Sequence, residues 1–317
     1  MRLTLKRLKV IVIELFRRFG EDNGPAGAAT ISFFAILSFV PLLLVGIAVL
    51  GYVIQDPQVA AARIERFIAQ LIPGPTATQA AEEIIQNAGI EEQVEGIVRG
   101  SGWAWIFGIV SLVWSASRIF ANAIIPLNAA FNAEDNRSFL QKQGAAVAML
   151  FGAGFLFILS LIASALPALL NQLPVFQLLP DVTATVLSLM ALALSISLNA
   201  TMFGLIYRYL PSPRAKVCWR QALVGGGFVA VLWEILKQGF AFYLSRFGGG
   251  ESYNRVYGSL GGLIILFLWV YYSSILLLLG AEVAQMFGDW LRKQKGDSSD
   301  DSNKLNSNSV ELFTPAK

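Results

Sequence analysis

Glu234, Lys237 and Gln238 stand at i, i+3 and i+4 in the run WEILKQGFAFYLSRF (233–247), and Ala241 continues the same helical face. A carboxylate, an ammonium and a carboxamide on one stripe can hold an ion, exchange a proton, or neutralise one another. Around them lie Trp233, Leu236, Phe240 and Leu244, side chains of a helix bound for an apolar medium. An ionisable group at the centre of a bilayer costs about 2.5–3.5 kcal/mol on insertion scales, so the stripe needs a reason. Two reasons compete. Either Glu234 and Lys237 pair off and lock their helix to a neighbour, or the stripe lines a water-accessible cavity open to the outside, where it meets a polar head group or ion. The pair alone leaves Gln238 unexplained, which favours the cavity. In that reading Lys237 and Arg246 attract an anionic group, while Glu234 balances it or gates it through protonation.

The next segment, FGGGESYNRVYGSLGG (247–262), sets Tyr253, Asn254, Arg255 and Tyr257 above the stripe, where their polar and aromatic groups suit the mouth of such a cavity. Its plain alternative is a hairpin between helices. Gly258, Gly261 and Gly262 would let the following helix approach a partner closely. Three further polar groups fall inside apolar runs and are read as structural. Arg118, in VWSASRIFANAI, suits a tight helix crossing or a snorkel to the interface. Asn199 suits a helix-to-helix hydrogen bond, and Glu282 a wet position near the end of its helix. Trp103, Trp105, Trp269, Tyr271 and Tyr272 read as packing or an interfacial belt rather than a ligand cage.

Other chemistries find no residues to carry them. Histidine is absent, which removes the commonest general base and nitrogen metal ligand. The single cysteine, Cys218, makes no internal disulfide and reads as a passive thiol at a membrane boundary. No Ser–His, Cys–His or paired-Asp constellation falls at membrane depth, so neither catalytic residues, a metal site nor a cofactor is expected, and the chain does not read as an enzyme. A net charge of +3 is too small a field to argue for nucleic acid.

The elements that would position the stripe follow from composition. The chain of 317 residues is 55% hydrophobic and only 14% charged, against about 25% charged in an ordinary soluble domain. The expected fold is all-α, a polytopic membrane bundle. Six runs are long enough to cross about 30 Å of hydrocarbon, near 28–54, 103–125, 143–170, 183–209, 220–245 and 257–287. Pro41 is expected to kink the first.

Arginine and lysine crowd residues 2–18, 208–220 and 292–295, whereas 55–102 is acidic, so the positive-inside rule puts both termini in the cytoplasm. Residues 1–23 read as an amphipathic interfacial helix with Leu5, Leu8, Val12, Leu15 and Phe16 along one side. The first 20 residues do not read as a secretory signal, because charges interrupt their apolar stretch. Residues 55–102 read as short amphipathic helices forming an outer cap or lying on head groups. The polar stretch from about 296, within a tail of 289–317, reads as disordered. No internal repeat stands out, which weakens an inverted-repeat transporter.

The runs VWSASRIFANAIIPLNAAFNAEDNRSFLQ, LIYRYLPSPRAKVCWRQALVGGGFVAVLWEILKQGFAFYLSRF and SYNRVYGSLGGLIILFLWVYYSSILLLLGAEV resemble the YihY/BrkB family of bacterial inner-membrane proteins, as does AATISFFAILSFVPLLL. The resemblance covers 24–288. It implies a six-span protein of the bacterial cytoplasmic membrane with both ends inside, in a family of uncertain function some of whose members are associated with export of lipid-related material. It implies no active-site residues. An older ribonuclease label for the family finds no support in residues: a metal-dependent nuclease needs His/Asp clusters in water, and this chain has no histidine. The expected function is transport of a lipid-like amphiphile or small polar solute, with membrane lipids as partners and homo-oligomerisation left open. The alternative is a non-transporting scaffold that binds envelope partners through the 55–102 cap.

Overall fold

The computed structural model describes residues 2–54, 102–170, 181–246 and 261–311, with single positions 62, 65, 66, 69, 78 and 82 between them. Among these residues there are seven α-helices and no strand: α1 (Arg2–Glu21), α2 (Gly24–Ile54), α3 (Gly102–Ala130), α4 (Phe139–Leu170), α5 (Asp181–Tyr209), α6 (Trp219–Arg246) and α7 (Gly261–Glu311). The described part of each apolar run lies in one of the six long helices, α2 to α7. Helix α2 continues through Pro41. Helix α7 runs on to Glu311, through polar residues whose composition predicts a disordered tail. The cap expected over 55–102 lies outside the described residues except for the six single positions, each of them helical, and Gly102, which begins α3.

Among the described residues, four segments are long and apolar enough to cross a bilayer: 139–165, 185–209, 219–246 and 263–294. Their outer surfaces carry Phe151, Phe155, Ile158, Leu189, Met190, Val231, Ile235 and Phe242 exposed, while Ser38, Ser117, Gln143, Ser160, Ser195, Asn199 and Glu282 face inward. Large apolar side chains outside and hydroxyls, amides and a carboxyl within is the arrangement that lipid solvation favours, because an inward polar group finds a partner and an outward one would not. The chain is a multi-pass membrane protein.

The long helices pack in chain order, α2 on α3, α3 on α4, α4 on α5, α5 on α6 and α6 on α7, and α7 closes the ring on α2. One end of this ring holds the three short connections, 22–23, 131–138 and 210–218, and is called the turn end below. Asparagine stops α3 there. Asn132 takes the left-handed conformation (φ 49°), its N–H donates to the Ala129 carbonyl at 2.9 Å, and the Ala133 N–H donates to the Asn128 carbonyl at 2.9 Å. Helix α1 lies against α7 and α2, burying Leu15 and Phe19 while Val12, Ile13 and Phe16 stay exposed. Its Arg18 reaches Asp289 of α7 at 2.9 Å.

Two of the connections are knotted together. The Arg137 guanidinium donates to both Asp135 oxygens, at 3.0 and 2.9 Å, and to the Leu210 carbonyl at 3.0 Å. Asn128 donates to Asp135 at 3.1 Å and accepts from the Ser212 N–H at 2.7 Å. The hydrogen-bonded guanidinium holds the Asp135 carboxyl at about 2, below the usual carboxylate range. A depressed folded-state pKa contributes stability that is complete above the unfolded value near 4 and lost as pH falls through the folded one. Acid below about pH 4 is therefore expected to loosen this knot by up to about 2 kcal/mol, with no change between about pH 5 and 8. Amide exchange across 131–138 and 210–215 measures it, and Asp135→Asn should show the loosened rates at neutral pH and no acid step.

Candidate functional site

Inside the ring lies a cavity of about 320 Å³ to which all six long helices contribute. Ser38 comes from α2, Ile119 from α3, Ser160 and Ser164 from α4, Asn199 from α5, Trp233 and Lys237 from α6, and Trp269 from α7. The wall is mostly apolar. Among the described residues its polar groups are few: the three serines, the Asn199 carboxamide and one ammonium. By analogy with the volume of liquid water, about 30 Å³ per molecule, the space holds roughly ten heavy-atom groups. That is a small head group or a stretch of acyl chain, not a whole lipid.

Local sequence explains how each group comes to face inward. Ser160 and Ser164 are one turn apart on α4 and meet Ser195 of α5, at 3.2 and 2.8 Å between hydroxyl oxygens. Ser38 donates to the Ser115 carbonyl across the α2–α3 contact at 2.6 Å. Trp233 and Trp269, both on the wall, pack with ring centroids 5.4 Å apart, and Phe240, which is not a lining residue, lies 5.2 Å from Trp269.

Lys237 Nζ lies 2.8 Å from Glu234 Oε1, with 29% of the lysine side chain and 15% of the glutamate side chain accessible. The two ions pair, and of the stripe Lys237 is the member that borders the cavity, whereas Glu234 is not among its lining residues. Gln238 is exposed on α6 and is not among the lining residues, and Arg246 is exposed at the end of α6. Tyr253, Asn254, Arg255 and Tyr257 lie outside the described residues.

The remaining candidates are spread through the ring. Asn199 is buried on the cavity wall. Arg118 is half-buried on α3, its guanidinium 6.0 Å from the Phe34 ring centroid and its carbonyl accepting from Asn122 at 2.7 Å. Glu282 is buried at 2% exposure near the turn end. Sequence reasoning missed the serine trio and Trp233 as lining groups; the only signal was serine at one-turn spacing within apolar runs. No group of three or more Cys, Asp or Glu side chains is placed to hold a metal among the described residues.

Comparison with known proteins supplies a family. Residues 15–304 match the family described as Virulence factor BrkB, and the chain belongs to it. It is similar to YfkH of Bacillus subtilis (strain 168), which carries a ribonuclease-like name, at 26% identity over 85% of this chain and 92% of that protein. It is also similar to the UPF0761 membrane protein RSc1559 of Ralstonia nicotianae, at 28% identity over 90% of this chain, and to Mpe_A1422 of Methylibium petroleiphilum, at 28% over 89%. The match spans 62% and 61% of those two longer relatives. No solved structure matches.

Proposed function

We propose that this BrkB-family membrane protein is transporter-like. In this reading all six long helices span the bacterial cytoplasmic membrane, with both termini inside, and the central cavity carries the anionic head of a lipid-like amphiphile. The observation that carries it is the cavity itself: an apolar chamber bordered by every long helix, with one ammonium among its described lining residues. Helices α2 and α3, at 31 and 29 residues, are as long as the four apolar spans and complete the ring with them. At 1.5 Å per residue each exceeds the hydrocarbon thickness. Arg137, Lys142, Arg208, Arg214, Lys216 and Arg220 at the turn end support a cytoplasmic location for that end.

The chemistry of the fit is simple. The aromatic and aliphatic wall accepts methylene groups, while Lys237, Asn199 and the serines offer hydrogen-bond donors to an anionic oxygen. Glu234 neutralises Lys237 when no anion is present, so an incoming head group exchanges one counter-ion for another. The scaffold alternative would place function in 55–102, outside the described residues, and deleting that segment would then abolish partner capture.

Thiol access tests the cavity. Cys218 is the only cysteine, so Cys218→Ser provides a clean background. An impermeant thiol reagent added from outside should modify Ser164→Cys and Asn199→Cys on the cavity wall, and leave Ile235→Cys on the apolar perimeter unreacted, because thiolate does not form in lipid. Protection at both wall positions would remove the transport reading.

A further inference from the structure

Arg118 of α3 carries a charge that nothing in the described fold answers. Arg17, Arg18 and Arg137 each hold a carboxylate, whereas no carboxylate, carbonyl or hydroxyl among the described residues accepts from the Arg118 guanidinium. The group that faces it is the Phe34 ring of α2, its centroid 6.0 Å away, at the outer limit of a cation–π contact. A ring offers no lone pair to the guanidinium N–H groups, so they are left without an acceptor.

Two observations place this cation at a lipid boundary. Trp114, Arg118 and Ile125 share one face of α3, and Trp114 and Ile125 are 50% and 74% exposed, so that face belongs to the perimeter of the bundle. Ser117, next to Arg118 in the chain, accepts from Gln143 on the second turn of α4, and Trp114 packs against Phe139, the first residue of α4, at 6.2 Å between centroids. Arg118 therefore lies at the level where the 139–165 span begins. Phe33 on α2 and Phe139 and Leu140 on α4 are exposed on its two flanks. Acyl chains solvate such side chains, and a cation set among them at the edge of a span takes its counter-ion from the lipid. A guanidinium fork matches the paired oxygens of a phosphate. We propose that the perimeter formed by α2, α3 and the start of α4 binds an anionic phospholipid, with Arg118 on its phosphate and Trp114, Phe139 and Leu140 against its first methylene groups. A zwitterionic lipid fits less well, because its own ammonium competes for the phosphate. Arg118 does not line the central cavity, so the site holds whatever that cavity carries.

Photolabelling tests it on the full chain in lipid nanodiscs. A phosphatidylglycerol with a diazirine close to its head group should mark the peptides that hold Trp114 and Phe139–Leu140, read by mass spectrometry. Arg118→Gln should lower that labelling by about fivefold, the weight of one cation at an anionic lipid surface, and leave labelling at Leu189 and Met190, exposed on α5, unchanged. Arg118→Lys keeps the charge without the fork and should fall between the two. On the parent chain, a phosphatidylcholine probe of the same build should label the site about fivefold less than phosphatidylglycerol does, a comparison that needs no variant to fold. Labelling that Arg118→Gln leaves unchanged, or that does not distinguish the two lipids, overturns the proposal, and Arg118 then reaches to water. So does loss of the phosphatidylglycerol label on adding inorganic phosphate, which would make the site one for a free anion.

Discussion

Replacing Gly226 with alanine is expected to destabilise the protein by about 3 kcal/mol, while the same change at Gly227 is neutral or stabilising. The difference is geometric. A Cβ at 226 would clash with the Ala200 carbonyl oxygen and meet the Gly204 nitrogen at 2.8 Å, both backbone atoms of α5 that no rotamer change can move away. A Cβ at 227 meets nothing within 4 Å. At 226 the methyl group forces α5 and α6 apart, and losing close backbone approach is costly in a bilayer, where packing rather than water drives helix association. The gain in helix propensity, about 1 kcal/mol, applies at both positions and survives only at 227. Thermal unfolding of the two variants in the same nanodiscs reads the contrast. Equal midpoints would mean that α5 and α6 do not touch at Gly226.

That contrast marks a boundary in what sequence discloses. Three consecutive glycines in LVGGGFVAV announce a close approach but not which of them makes it, because the answer depends on how α6 is rotated against α5 and α7. Gly225 faces the Gly280 carbonyl, Gly226 faces α5, and Gly227 faces neither. The long helices were legible because runs longer than the hydrocarbon thickness need no tertiary information. The Glu234–Lys237 pair was legible for a similar reason, since i, i+3 neighbours meet on any helix. The cavity was only half legible. Ser38, Ser160 and Asn199 sit on three helices far apart in sequence, and nothing in their local context sets them apart from ordinary packing serines and asparagines. The Arg18–Asp289 pair was hidden most completely, because it joins α1 to α7 through the closure of α7 on the helices that begin the ring.

The largest functional effect is expected at Lys237, where stability and binding should separate. Lys237→Ala leaves Glu234, 15% accessible, without its counter-ion, and breaking such a pair from one side costs about 3 kcal/mol. Glu234→Ala should cost less, because the lysine stem is 29% accessible and its ammonium can reach towards solvent. The double variant Glu234→Gln with Lys237→Met removes both charges while keeping the volume filled, and its stability should return to within about 1 kcal/mol of the parent. Binding should follow a different order. Glu234→Gln frees the ammonium from its internal competitor and should retain more of any anionic amphiphile through purification, by up to about tenfold. Lys237→Ala and the double variant should both lose it, although only the first is unstable. Mass spectrometry of lipids co-purified in nanodiscs, beside thermal unfolding of the same samples, reads both orders at once. If the stable double variant keeps the parent's bound lipids, the ammonium contacts no ligand and the cavity serves packing alone; if it is as unstable as Lys237→Ala, the two charges do not stabilise each other and the pair is no reason for their presence in the bilayer.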